Sequence, residues 1–149
     1  MKRMLITGGS GYLGGWVTRL AREDWDVTAT YTRHSSNEPG VIWRELDVRD
    51  AGAVNSLISG RRPDVIVHTA ALNPGQGNDF EAVNVVGTAN VARAAADAGT
   101  RLIHISTDMV FDGQKGNYVE TDEPNPLTPY GATKAQAEAA VIDSNVDAS

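Results

Sequence analysis

Apolar and polar positions along this chain follow two periods in turn. Short β-rich runs, bounded by turn residues, predict strands at MLIT (4–7), DVTATY (26–31) and VIWREL (41–46). PDVIVHTAA (63–71) carries a solid apolar strand at Val65–Val67, and RLIHIST (101–107) predicts one more. The stretches between them are helical. Leu13, Trp16, Val17 and Leu20 form an apolar stripe at helical spacing, and a second helix runs from about Ala51 to Ser59. Residues 80–98 place Phe80, Val83, Val86, Val91 and Ala94 on or near one helical face, and Gly99 stops that helix. A loop rich in Pro, Asp, Asn and Gly runs from Asp112 to Leu127. The last helix then opens at Thr128 as N-cap, with Pro129 in its first turn.

Strands alternating with helices imply a parallel sheet with helices on both faces and right-handed crossovers. The expected fold class is a doubly wound α/β sheet, in which ligands sit at the carboxyl ends of the strands where strand order reverses. No repeat, low-complexity tract or linker divides the 149 residues, so one domain spanning 1–149 is expected.

Composition narrows the function classes. A formal charge of −6 argues against a nucleic-acid-binding face. The absence of cysteine removes disulfides, thiolate metal sites and a cysteine nucleophile. The first apolar run is far too short for a signal peptide or membrane span, which leads to an expectation of a soluble, cytoplasmic protein with no membrane partner.

The first turn concentrates the chemistry. TGGSGYLGG (7–15) holds five of the 15 glycines, including the spacing Gly8-x-x-Gly11-x-x-Gly14 between a strand and a helix. In that context Gly8 allows a sharp exit, Gly11 lets a diphosphate approach the backbone, and Gly14 lets the helix pack closely on the sheet. The amides near Tyr12 and Leu13 would face an anion at the positive helix end. NAD readers carry an acid after the second strand. Here that strand ends Ala29-Thr30-Tyr31-Thr32-Arg33-His34, and Arg33 suits a 2′-phosphate, which favours NADP over NAD.

A second constellation lies in the last helix. Tyr130 and Lys134 stand at i and i+4 on one face. An ammonium there would lower the phenol's proton affinity and equip Tyr130 to exchange a proton with a developing alkoxide. Lys134 could also hold ribose hydroxyls. Ser106 and Thr107 end a strand at its carboxyl side, where a hydroxyl could orient a substrate carbonyl. His104 and His68 read as packed structural residues, and neither has neighbours at metal-ligand spacing, so no metal site is expected.

Taken together, T7-G-G-S-G-Y-L-G14, D47-V-R-D50, H68-T-A-A71, N84-V-V-G-T88, S106-T-D-M-V-F-D-G113 and Y130-G-A-T-K134 resemble the extended short-chain dehydrogenase/reductase family. The S106–G113 segment looks most like its dTDP-4-dehydrorhamnose reductase branch, which usually has tyrosine where Met109 stands. The resemblance implies a Rossmann-type fold, with Tyr130 as proton donor, Lys134 as its partner and Thr107 as a third catalytic hydroxyl beside Ser106. It implies that Asp47 and Val48 border the adenine, that Ala70 and Ala71 line the cofactor's path, and that Asn84 ties strands together, orders water or is purely structural. The implied chemistry is hydride transfer from NADPH to the keto group of a nucleotide-linked sugar.

Two other functions share these motifs. A sugar-nucleotide epimerase or dehydratase would need tightly held NAD, against which the missing acid after Tyr31 counts. A regulatory subunit would bind cofactor and a partner protein without turnover. The family continues beyond its Tyr-Lys helix, whereas this sequence stops at Ser149, so the C-terminal substrate region is expected to be missing from it. The sheet edge at RLIHIS is then expected to lack its next strand and to invite pairing with another chain, as in a homo-oligomer.

Overall fold

A computed structural model describes all 149 residues. Five strands, β1 (Arg3–Thr7), β2 (Asp26–Tyr31), β3 (Ile42–Glu45), β4 (Val65–His68) and β5 (Arg101–His104), form one parallel sheet in the order β3-β2-β1-β4-β5. Four α-helices connect or follow them: α1 (Tyr12–Ala21), α2 (Ala51–Arg61), α3 (Gly87–Ala98) and α4 (Pro129–Asp143). This is the doubly wound Rossmann-type fold. The order reverses between β1 and β4, so a crevice opens at the carboxyl ends of those two strands.

Side chains alternate across the sheet and build two apolar layers. Leu5, Ile66 and Leu102 point to one face, where Val54 and Ile58 of α2, Val91 of α3 and Val141 of α4 cover them. Ile6, Val27, Ala29 and Val67 point to the other, where α1 supplies Val17 and Ala21. Helices thus lie on both faces, unequally shared.

The stripe expected to bury α1 points mostly outward. Leu13, Trp16 and Leu20 are 45%, 50% and 67% exposed, while Gly14 and Thr18 are buried. The small residues win because they let the helix axis approach the sheet. A Cβ on Gly14 would lie 2.6 Å from Thr69 Oγ1. Trp16 instead lies under the Arg19 guanidinium, 5.1 Å from its ring centre, and Glu38 holds that guanidinium at 2.9 Å.

Other boundaries also shift. The helix expected over 80–98 begins as a π-helical turn, Glu81–Val86, before α3. Gly99 ends α3 at φ +63°, in the left-handed region glycine tolerates. The run RLIHIST is strand only to His104, and a 3-10 turn, Asp108–Val110, follows it. The β5 edge is partly covered, contrary to expectation. Leu102 N donates to Asp147 O (2.8 Å), Ser149 N to Leu102 O (3.0 Å) and His104 N to Ser149 O (2.9 Å). The last three residues therefore lie alongside β5 in parallel. No helix is long and apolar enough to cross a membrane.

Candidate active site

The glycine turn opens the crevice at the switch point. Gly8 leaves β1 at φ +71°, and a Cβ there would stand 2.8 Å from the Ala70 backbone. Its close approach is thus to the β4 exit as well as to the turn. Gly11, by contrast, is exposed, and a Cβ on it would meet only Gly8 O, at 3.1 Å. Gly11 is where added bulk would enter the crevice. A cleft of about 370 Å³ lies here, lined by Gly8, Gly11, Tyr12, Leu13, Gly14 and Thr69–Ala71, with Asn73, Gln76 and Val83 at its far side.

The amino end of α1 faces that cleft uncapped. No side chain caps it, its first turn carries no acid, and the amides of Tyr12, Leu13 and Gly14 donate to nothing in the chain. Unpaired amides at a positive helix end fit a dinucleotide's diphosphate. Of the residues assigned to a cofactor from sequence, Gly8, Gly11, Tyr12, Leu13, Gly14, Ala70 and Ala71 come together here.

Arg33, Asp47 and Val48 lie outside this lining. Arg33 is exposed beyond β2 and makes no hydrogen bond. The Asp47 carboxylate is already engaged by Arg49, with Nη2–Oδ2 at 2.6 Å, and this bond holds its carboxyl below the usual range. Val48 is buried, and its side chain fills the space left by Gly87, where a Cβ would lie 2.6 Å from Val48 Cγ2. The Val48 side chain is thus packed against α3.

The second constellation sits where β4 and β5 end. Helix α4 docks on the 3-10 turn because residue 131 is glycine, since a Cβ there would collide with the Met109 carbonyl. Thr128 caps the helix, accepting from Gly131 N at 3.0 Å. Asp112 organises the approach by accepting from Tyr118 Oη (2.6 Å), Asn125 Nδ2 (2.8 Å) and Gln114 N (2.9 Å). Phe111 and Tyr118 stack at 4.2 Å within the same loop. Asn84 binds the Leu72 backbone through both side-chain atoms (2.7 and 3.1 Å) and Thr133 Oγ1 at 3.3 Å. It ties the loop after β4 to α4, rather than tying strands together.

The three candidate catalytic side chains share this region without bonding one another. Tyr130 is half-buried and meets Phe80 edge-on, with ring centres 6.1 Å apart. Thr107 Oγ1 accepts from Met109 N at 3.3 Å. Lys134 is buried, and its ammonium donates to Ile105 O at 2.6 Å. The expected lowering of the Tyr130 phenol by Lys134 is not seen. Burial raises its proton affinity instead. Burial also pulls Lys134 down to about 8, against an upward push from Glu138.

Ser106 donates to Glu138. Glu138 received no role from sequence, although it continues the Tyr130–Lys134 face by one further turn. His68 is structural as expected, with Thr7 Oγ1 at 2.6 Å and Thr88 Oγ1 at 3.0 Å. His104 is more than a packed histidine: its ring stacks on His68 at 5.6 Å and its Nε2 lies 3.4 Å from Lys134 Nζ.

Comparison with known proteins bears on this geometry. The family model described as the RmlD substrate binding domain matches residues 1–149. The chain belongs to that family.

Its relatives include two kinds of protein. It is 38% identical to methionine adenosyltransferase 2 subunit beta of Xenopus tropicalis, over 97% of this chain and 44% of that protein. It is 36% identical to a dTDP-4-dehydrorhamnose reductase of Aggregatibacter actinomycetemcomitans, over 93% of this chain and 46% of the reductase. The RmlD family chain thus spans about half the length of these relatives. Among solved structures, Bordetella bronchiseptica WbmG in complex with NAD superposes with a TM-score of 0.86 at 27% identity, over 98% of this chain and 51% of that one. The dTDP-4-dehydrorhamnose reductase of Bacillus anthracis in complex with NADP gives 0.78 at 29%, over 99% and 52%. The resemblance to the dTDP-4-dehydrorhamnose reductase branch holds.

Proposed function

We propose that this chain is the cofactor-binding and proton-delivering part of an NADP-dependent reductase of the extended short-chain type, acting on the keto group of a nucleotide-linked sugar. The observation that carries the proposal is the glycine cleft, with its unpaired α1 amides, opening at the same sheet end as Thr107, Tyr130 and Lys134. Gly8, Gly11, Tyr12, Leu13 and Gly14 would hold the diphosphate, and Ala70 and Ala71 would line the dinucleotide's path. Arg33 would pair with the 2′-phosphate. Asp47, once released from Arg49, and the Val48 backbone would meet the adenine. A bound nicotinamide supplies the hydride. Tyr130 delivers the matching proton to the alkoxide oxygen, Thr107 and Ser106 orient the carbonyl, and Lys134 holds ribose hydroxyls.

High proton affinity at Tyr130 fits a donor, because the phenol stays protonated until charge develops on the substrate oxygen. The test is NADPH oxidation with a 4-keto-sugar nucleotide. Tyr130→Phe should abolish turnover and leave NADPH affinity within about twofold, since the phenol hydroxyl contributes mainly in the transition state. Equal turnover in that variant overturns the donor role.

A second function is favoured by the 38% identity to methionine adenosyltransferase 2 subunit beta: a cofactor-binding subunit of a partner enzyme. It predicts NADPH binding without oxidation of NADPH by any keto-sugar nucleotide.

A further inference from the structure

The polar residues beneath the candidate catalytic face form a connected set. Thr7, His68 and Thr88 make one buried chain, and His68 stacks on His104, which reaches Lys134. His104 Nδ1 is buried and has no partner. A buried polar atom left unpaired is destabilising, so its retention calls for a gain at the other ring nitrogen. That other nitrogen faces the Lys134 ammonium.

The hydrogen-bond inventory fixes the roles. An ammonium has three donors and no acceptor. Lys134 gives one to Ile105 O, and in its buried position a second needs an acceptor. The His104 ring is neutral, because burial and then the neighbouring ammonium push it down to about 4. A neutral imidazole offers one acceptor, and to present it to Lys134 at Nε2 it must carry its proton on Nδ1.

We infer that His104 is a positioning residue for Lys134: its neutral Nε2 accepts from the ammonium and, with the Ile105 carbonyl, fixes that charge at the carboxyl end of β5. The inference rests on Lys134 being part of the proposed proton-transfer site, but its test needs no turnover. Groups from each packed element face Lys134. β5 supplies His104, β4 supplies His68 behind it, and α4 supplies Tyr130 and Glu138. The 81–86 turn and α3 bring neutral Asn84 and Thr88 into this region, and the 3-10 turn carries exposed Asp108.

The chain has only three lysines, Lys2, Lys115 and Lys134, so lysine labelled with carbon-13 at Cε gives three resolvable titrations. In the 149-residue chain Lys134 should titrate near 8, below the ordinary lysine value. His104→Leu removes the acceptor and should lower the Lys134 midpoint by about one to two pH units. His104→Gln keeps a neutral acceptor near the Nε2 position and should stay within about half a unit of the parent. His104→Asn, too short to reach, should behave like His104→Leu, and it carries the test if the leucine variant fails to fold. An unchanged Lys134 midpoint in the Leu and Asn variants overturns the inference. So does an equal fall in the Gln, Asn and Leu variants, because packing alone would then explain the effect. Neither outcome depends on whether the chain reduces a sugar.

Discussion

Burial removes the charged imidazole from the folded state at His68 and His104, and this ties stability to pH. His104 binds a proton at about 4 when folded and near 6.5 when unfolded. Between those values the unfolded chain takes up a proton that the folded chain refuses. The His104 contribution to stability is therefore complete above about pH 6.5 and is lost as pH falls towards 4, and His68 acts in the same direction. Urea unfolding at pH 7 and pH 5 should show the parent losing about 2 kcal/mol more than His104→Gln. Equal losses would contradict the assignment. Arg33 carries the other single-residue prediction. It is exposed and unpaired, so Arg33→Ala should leave folding and NADH affinity unchanged. NADPH affinity should fall roughly tenfold or more, the loss expected for one charge-assisted contact. An unchanged NADPH-to-NADH ratio removes Arg33 as the 2′-phosphate reader.

Elements are placed here by glycine as much as by hydrophobic stripes. Gly14 and Gly131 each stand where a Cβ meets another element, whereas Gly60, inside α2, has nothing within 4 Å. Gly60→Ala should therefore stabilise the chain by about 0.5–1 kcal/mol through helix propensity. Gly14→Ala should destabilise it by about 2 kcal/mol or more and disturb the cleft. Thermal unfolding checks both signs, and a neutral Gly14→Ala would mean that α1 can move away from the sheet. The same glycines explain what could be read in the sequence. The glycine spacing, Thr128 with Pro129, and Gly99 mark element ends through local backbone chemistry, and they stand where expected. The α1 stripe failed because amphipathic periodicity favours Trp16 and Leu20, while packing distance favours Gly14 and Thr18. No local signal marks the π-helical turn. The buried Asn84 it carries, hydrogen-bonded to Leu72 and Thr133, depends on contacts distant in sequence.

For the whole molecule, strand alternation alone leads to the parallel sheet and its switch point, and hence to where a ligand lies. The cleft was most legible where it is contiguous in sequence, although Ala70 and Ala71, distant in sequence, also line it. Gly8–Gly14 assembles as expected because one turn contains it. Asp47 is engaged by Arg49 only two residues along the chain, whereas Lys134 does not behave as expected because its partners, Ile105 and His104, are met only through the fold. The parallel tail at Asp147–Ser149 belongs to the same class, since nothing in its sequence marks a strand. The central claim is that the cleft at the glycine turn is a dinucleotide site that prefers a 2′-phosphate. The most direct measurement is calorimetric titration of the 149-residue chain with NADPH and, separately, with NADH. The account predicts one-to-one binding of NADPH, tighter than NADH by roughly tenfold or more. Absence of heat with both, from a chain shown to be folded, would contradict it.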